Sequence, residues 1–255
     1  MHVKLKKKFG QNFLVDKNIL KKISNLIPSN NQDILEIGPG IGHLTDFLID
    51  RNMKKITLIE IDKDFIPVLE EKYKKIKFLE LINQDILSVD LLKYNKETTI
   101  VSNLPYNISS QVLVKINNYF HFNMMILMFQ KEFAERLTSN KLNNLNCLIN
   151  CFYEIKKEFH ISKNSFVPSP KIESSVVTFK KRNNSLIDHC DIRLFSHFKS
   201  MIFVNKRKKI STILKKHKFQ IDNLKKIEMR AEEYSLDDFI NLFKNLKPEL
   251  INKFS

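Results

Sequence analysis

Glu36-Ile37-Gly38-Pro39-Gly40-Ile41-Gly42 is the stretch on which the rest of the sequence turns. The 255-residue chain contains four glycines, and three of them stand within these seven positions. Ile34, Leu35 and Ile37 before the turn read as a short buried strand, and Leu44, Phe47 and Leu48 after it show helical spacing. Strand, glycine turn and helix together bring backbone N–H groups and a helix N-terminus up to a ligand, as in open α/β sheets. Two common versions are excluded. A dinucleotide fingerprint needs glycine at its sixth place, which here is His43. A P-loop ends in Gly-Lys-Ser or Gly-Lys-Thr, and no such triplet occurs.

Downstream, apolar strands alternate with helical segments. Residues 56–59 form a strand ending at Glu60, 78–82 one ending at Asn83-Gln84-Asp85, and 99–101 one ending at Ser102-Asn103. A helix is expected over 109–120 and a fifth strand over 124–129. This alternation predicts an α/β fold, a parallel sheet with helices on both faces. Gly38, Glu60, Asp85 and Asn103 each follow a strand directly, at intervals of 22, 25 and 18 residues. Parallel strands end on one edge, and ligands bind there. Glu60 is placed to accept ribose hydroxyls, and Asp85 or a neighbour to accept from an adenine amine. No lysine or arginine stands among these strand-end positions. A ligand with ribose and base but without phosphates is therefore favoured.

Asn103-Leu104-Pro105-Tyr106 indicates the chemistry. An exocyclic base amine is a weak nucleophile because its lone pair is delocalised into the ring. The Asn103 side-chain oxygen and a backbone carbonyl near Leu104 or Pro105 could accept its hydrogens and draw it toward tetrahedral geometry. Tyr106 would stack on the base, which must leave its own stack to enter. Attack by the freed amine on a bound electrophile then depends mainly on alignment. No His–Ser or paired-carboxylate arrangement is required.

Compact G-x-G-x-G spacing behind Glu36 resembles the first motif of S-adenosylmethionine-dependent methyltransferases. Taken with residues 9–14 (FGQNFL), 103–109 (NLPYNIS), 130–132 (QKE) and 166–176 (FVPSPKIESSV), the chain resembles the ribosomal RNA adenine dimethyltransferase family from about residue 4 to 236. The FGQNFL and NLPYNIS motifs favour the bacterial small-subunit branch over the large-subunit resistance enzymes. The resemblance implies a Rossmann-like catalytic domain over 1–184 and a small helical RNA-binding domain over 185–255. It implies that Asn12, Leu14, Gly38, Gly40, Glu60, Asp85 and Asn103 contact S-adenosylmethionine, with no metal. Phe166 would press on the target base opposite Tyr106. The implied reaction makes two adjacent N6,N6-dimethyladenosines near the 3′ end of small-subunit RNA during ribosome assembly. The chain departs from the family pattern at Leu142-Asn143-Asn144, where a Tyr-Gly pair is usual.

Charge agrees with such a partner. Lysine and arginine number 43 against 28 acids, a net charge of +15, and a polyanion is the expected partner. The excess is uneven: residues 199–218 hold eight basic residues and no acid. Within them Lys206-Arg207-Lys208-Lys209 opens a helix and would contact phosphates without reading sequence. The polar segment 181–190 marks a boundary, beyond which Leu194, Phe198, Met201, Ile202, then Ile210, Ile213, Leu214, then Leu236, Phe239, Ile240 and Phe243 show helical spacing. Cys147, Cys151 and Cys190 make no disulfide framework; no His or acid completes a metal set with Cys147 and Cys151, which read as buried fillers in a reducing compartment. No apolar run approaches the length of a membrane helix, so a soluble, cytoplasmic monomer is expected. Two alternatives stay open on sequence alone: a non-catalytic RNA-binding assembly factor on the same fold, and a large-subunit adenine methyltransferase.

Overall fold

The computed structural model describes residues 12–28, 32–117, 120–221 and 224–254. The basic arm over 1–8 and the first three residues of FGQNFL lie outside them. Two compact units are present. One comprises the described residues up to Ala134 together with 155–181, and the other 135–154 with 182 onward. The expected division at 184/185 falls close to the later boundary. Residues 135–154, expected in the first domain, group instead with the second unit.

The first unit is built on a seven-stranded sheet. In chain order its strands are β2 (Asp33–Ile37), β3 (Lys55–Glu60), β4 (Leu79–Asn83), β5 (Thr99–Asn103), β6 (Met124–Gln130), β7 (Tyr153–Ile161) and β9 (Ser174–Lys181). β1 (Phe13–Leu14) and β8 (Phe166–Val167) form a separate ribbon. The spatial order is β4-β3-β2-β5-β6-β9-β7. β2 to β6 are parallel, as the alternation predicted. β9 runs antiparallel to β6, which the sequence reading did not foresee. Sequence order reverses between β2 and β5, making this the topological switch point where open sheets bind ligands.

Burial explains why these segments are strands. Ile34, Leu35, Leu58, Ile100, Val101, Ile126 and Leu127 are at most 1% exposed, because helices cover both faces of the inner strands. α1 (Lys17–Asn25) starts where Asp16 accepts from the N–H groups of Asn18 and Ile19 at 3.0 and 3.3 Å. α2 (His43–Ile49) leaves the glycine turn, and α3 (Ile66–Tyr73) and α4 (Ser109–Asn117) follow β3 and β5. α5 (Lys131–Leu137) follows β6.

The second unit is helical, with α6 (Asn146–Phe152), α7 (Ile192–Val204), α8 (Ile210–Lys216) and α9 (Leu236–Phe254). Phe195, Phe198, Phe239 and Phe243 form its aromatic centre, with Phe195 edge-on to Phe243 at 5.0 Å between ring centroids. Phe195 takes the core place that the spacing gave to Leu194. Where the family pattern has Tyr-Gly, Asn143 Oδ1 accepts from the N–H groups of Leu145 and Asn146, both at 3.0 Å, and holds the turn that leads into α6. Cys147 and Cys151 are buried on α6, and burial pushes the Cys147 thiol up to about 12. Among the described residues no helix is long and apolar enough to cross a membrane.

Leu58 lies in the middle of β3, between β4 and β2, with no exposure. Leu58→Ala should lower unfolding stability by about 2–5 kcal/mol, read from urea denaturation. A loss below about 0.5 kcal/mol would mean that this strand is not in a close-packed core.

Candidate active site

Register decides what the parallel strands place side by side. Ile37 pairs with Ile59 on one side and Ser102 on the other, and Glu60 pairs with Asn83. The residues that end these strands therefore emerge on one rim. A cavity of about 260 Å³ opens there, lined among others by Gly38, Gly40, Glu60, Asp85, Asn103 and Tyr106. Asn12, Leu104 and Pro105 also line it. Convergence of residues distant in sequence is the geometry a single site requires.

Gly38 and Gly42 have φ of +68° and +81°, in the left-handed region where a side chain is strained. Gly38 has open space where a Cβ would project. A Cβ on Gly42 would instead come 2.2 Å from the Tyr73 hydroxyl, so only glycine fits. That hydroxyl lies 2.8 Å from the Gly42 carbonyl and 2.7 Å from Asp46 Oδ1, and Lys72 Nζ pairs with Asp46 at 2.7 Å. α3 thus clamps the glycine turn, a role with no motif of its own in the sequence.

Glu60 is 5% exposed. Its Oε2 accepts the Gly40 N–H at 3.0 Å and its Oε1 the Asp62 N–H at 2.8 Å. Burial raises its carboxyl above the usual range, and these N–H groups oppose the shift. Each oxygen keeps a further acceptor position, enough for the two hydroxyls of a ribose. Asp85 caps a short turn, its Oδ1 accepting from the Leu87 N–H at 2.9 Å. Its remaining oxygen is an acceptor at the cavity wall.

The Asn103 amide nitrogen donates to the Asn12 carbonyl at 3.1 Å. That bond fixes the amide orientation and leaves Oδ1 as an acceptor. Tyr106 lines the same cavity, and its hydroxyl bonds Ser174 Oγ. Burial pushes its hydroxyl above the usual range, so the ring stays neutral.

Phe13, Ile61, Phe65, Ile86 and Leu87 supply apolar walls. Sequence reading passed over them. Ile61 carried a signal: an apolar residue between Glu60 and Asp62 on a loop, 43% exposed. Among the described residues no lysine or arginine lines the cavity, although the chain carries +15. Two carboxylates between apolar walls suit a cationic ligand with a flat base and hydroxyls, and do not suit phosphate.

Two expected site residues, Phe166 and Leu14, do not line this cavity. Phe166 is 2% exposed, pairs with Leu14 across the β1–β8 ribbon, and belongs to the hydrophobic core. It is not among the residues lining the cavity, because the ribbon turns its ring into that core. Leu14 is also buried, with its carbonyl 2.9 Å from His43 Nδ1, and it lines a smaller neighbouring cavity together with Gly38 and Asn103. Lys206, Arg207, Lys208 and Lys209 are exposed on the turn between α7 and α8. They precede α8 rather than forming its first turn, and Lys209 pairs with Glu228 at 3.0 Å.

Glu36 lies beneath the glycine turn, 2% exposed, and accepts from Thr45 Oγ1 at 2.7 Å. Burial pushes its carboxyl up to about 8, against the pull of the Thr45 hydrogen bond, with negative Asp46 and Glu60 adding to the rise. The folded state holds this proton between about pH 4.5 and 8, whereas the unfolded chain has released it. Stability therefore falls as pH rises through that window, by about 1.4 kcal/mol per pH unit at its steepest. Glu36→Gln keeps the acceptor and removes the titration. Thermal unfolding of the two proteins should give melting temperatures that diverge in favour of the variant from pH 5 to 8. Parallel profiles would contradict this protonation.

Comparison with known proteins places this geometry. A family model described as ribosomal RNA adenine dimethylase matches residues 2–247. Ribosomal RNA small subunit methyltransferase A of Malacoplasma penetrans is 39% identical over 83% of this chain and 78% of its own length. The protein of that name from Pelagibacter ubique is 36% identical over 99% of this chain and 96% of its own. Among solved structures, a dimethyladenosine transferase from Plasmodium falciparum superposes with a TM-score of 0.82 at 26% identity, covering 93% of this chain and 98% of that one. The 23S rRNA methyltransferase ErmE shares the fold, with a TM-score of 0.79 at 21% identity over 92% and 99% of the two chains.

Proposed function

The chain belongs to the ribosomal RNA adenine dimethylase family, S-adenosylmethionine-dependent methyltransferases, and we propose that it dimethylates two adjacent adenosines near the 3′ end of small-subunit ribosomal RNA during subunit assembly. Small-subunit specificity is supported by the names of relatives covering most of the chain, and by the NLPYNIS motif at 103–109. The single observation that carries the catalytic reading is the cavity shared by Gly38, Glu60, Asp85 and Asn103.

The residues present fit the donor. Glu60 would accept the ribose hydroxyls and Asp85 the adenine amine, while the turn at Gly38 leaves room for close approach. The two acids favour a cation over an anion. When bound, S-adenosylmethionine supplies an electrophilic methyl on a positively charged sulfur. Asn103 Oδ1, oriented by the Asn12 carbonyl, would accept one N6 hydrogen of the target adenine. A carbonyl of Leu104 or Pro105 would accept the other. With both hydrogens held, the nitrogen lone pair is released from the ring and points along the line of attack. Tyr106 would stack on the flipped base within apolar walls that exclude water.

The exposed basic turn at 206–209 would neutralise RNA phosphates. We assign RNA positioning to the second unit and methyl transfer to the first. The protein would act in the cytoplasm as a monomer on immature small subunits.

Asn103→Ala should lower the single-turnover rate of methyl transfer to unmodified small subunits by roughly 10²-fold or more, with RNA affinity within a few-fold of the parent. Mapping the product should show dimethyladenosine in small-subunit RNA. Full activity in this variant, or modification confined to large-subunit RNA, would overturn the proposal.

A further inference from the structure

Of the motif at 166–176, Phe166 is turned into the core, but Ser174 reaches the cavity wall by another route. Ser174 opens β9 and pairs with Gln130 at the end of β6. The Lys131 N–H to Glu173 carbonyl bond, 2.9 Å, fixes the backbone beside it. Ser174 has no exposure, yet it carries a hydroxyl where the next residue on the same face of the strand is Val176. That hydroxyl lies 2.5 Å from Tyr106 Oη, which has no other partner among the described residues. Bulk alone would be served there by alanine or valine.

The Tyr106 backbone is already held. Ser109 Oγ donates to the Tyr106 carbonyl at 3.2 Å, and the Ile108 N–H bonds the Pro105 carbonyl at 3.1 Å. These bonds fix the near end of the side chain and leave the ring free to swing about its own torsions. A contact at the phenol oxygen fixes the far end. The tether runs from the turn after β5, past β6, to the antiparallel strand β9, which otherwise contributes nothing to the cavity lining.

We infer that Ser174 is a positioning residue: its hydroxyl holds the Tyr106 ring at the angle at which it stacks on the target adenine. This rests on the stacking role given to Tyr106 above. An untethered ring would let the base, and with it the amine, drift off the line of attack. The second methyl transfer should suffer more than the first, because the monomethylated amine has one hydrogen left to orient it.

Ser174→Ala, Tyr106→Phe and the double variant are compared in single-turnover assays on unmodified small subunits. Thermal unfolding and S-adenosylmethionine binding are measured alongside. Ser174→Ala should cut the rate roughly tenfold to a hundredfold, leave KM for both substrates within about twofold, and raise the proportion of monomethyladenosine. Tyr106→Phe should do the same, and the double variant should be no worse than either, since all three remove one bond. Wild-type rate and product ratio in Ser174→Ala would overturn the inference, as would losses that multiply in the double variant. Tyr106→Ala separates this from the underlying reading. If it is inactive while Ser174→Ala is unimpaired, the stacking role stands and the tether falls. If it is fully active, both fall.

Discussion

In-register pairing of parallel strands is the constraint on which the site depends. Hydrogen bonds of β2 to β3 and β5, and of β3 to β4, bring strand termini far apart in the chain to one level. A slip of one residue in any pair would turn its side chains to the opposite face. Such a slip would expose residues such as Leu58 and Val101, which have no exposure. The burial that stabilises the fold is thus the same burial that aligns Gly38, Glu60, Asp85 and Asn103.

Electrostatics divides the molecule by task. Its net charge of +15 suits a polyanionic partner, but among the described residues the cavity is lined by carboxylates and no cationic side chain. A ligand bearing positive charge is admitted where phosphate is not. Buried acids so close together repel, and the structure relieves this in two ways. Glu60 is held by the N–H groups of Gly40 and Asp62, while Glu36 keeps its proton to about pH 8. Backbone N–H groups thus oppose the cost of burying Glu60, while Glu36 supports the turn in neutral form.

The parallel half of the sheet and its rim were legible because each strand is an apolar run ending in a polar residue at regular intervals. β9 and β7 were not, since their pattern gives no turn signal that distinguishes an antiparallel return from a loop. The second unit's helices followed from spacing, but Phe195 rather than Leu194 faces its core, because the helix starts at Ile192 and its phase is set by packing. The place of Glu60 and Asn103 on the cavity rim could be read from their position after strands. Ile61, Tyr73 and Ser174 could not be assigned roles, since what they do depends on neighbours brought by tertiary contact. Phe166 shows the converse: it sits in a recognisable motif, yet the β1–β8 ribbon turns its side chain into the core.

The central claim is that one cavity above the switch point holds the methyl donor beside the amine-binding turn. It is tested most directly by a crystal structure of the chain with S-adenosylhomocysteine. The ribose hydroxyls should lie on Glu60, the base between the apolar walls near Asp85, and the sulfur facing Asn103. Density for the ligand at any other place on the molecule, with this cavity open, would contradict it.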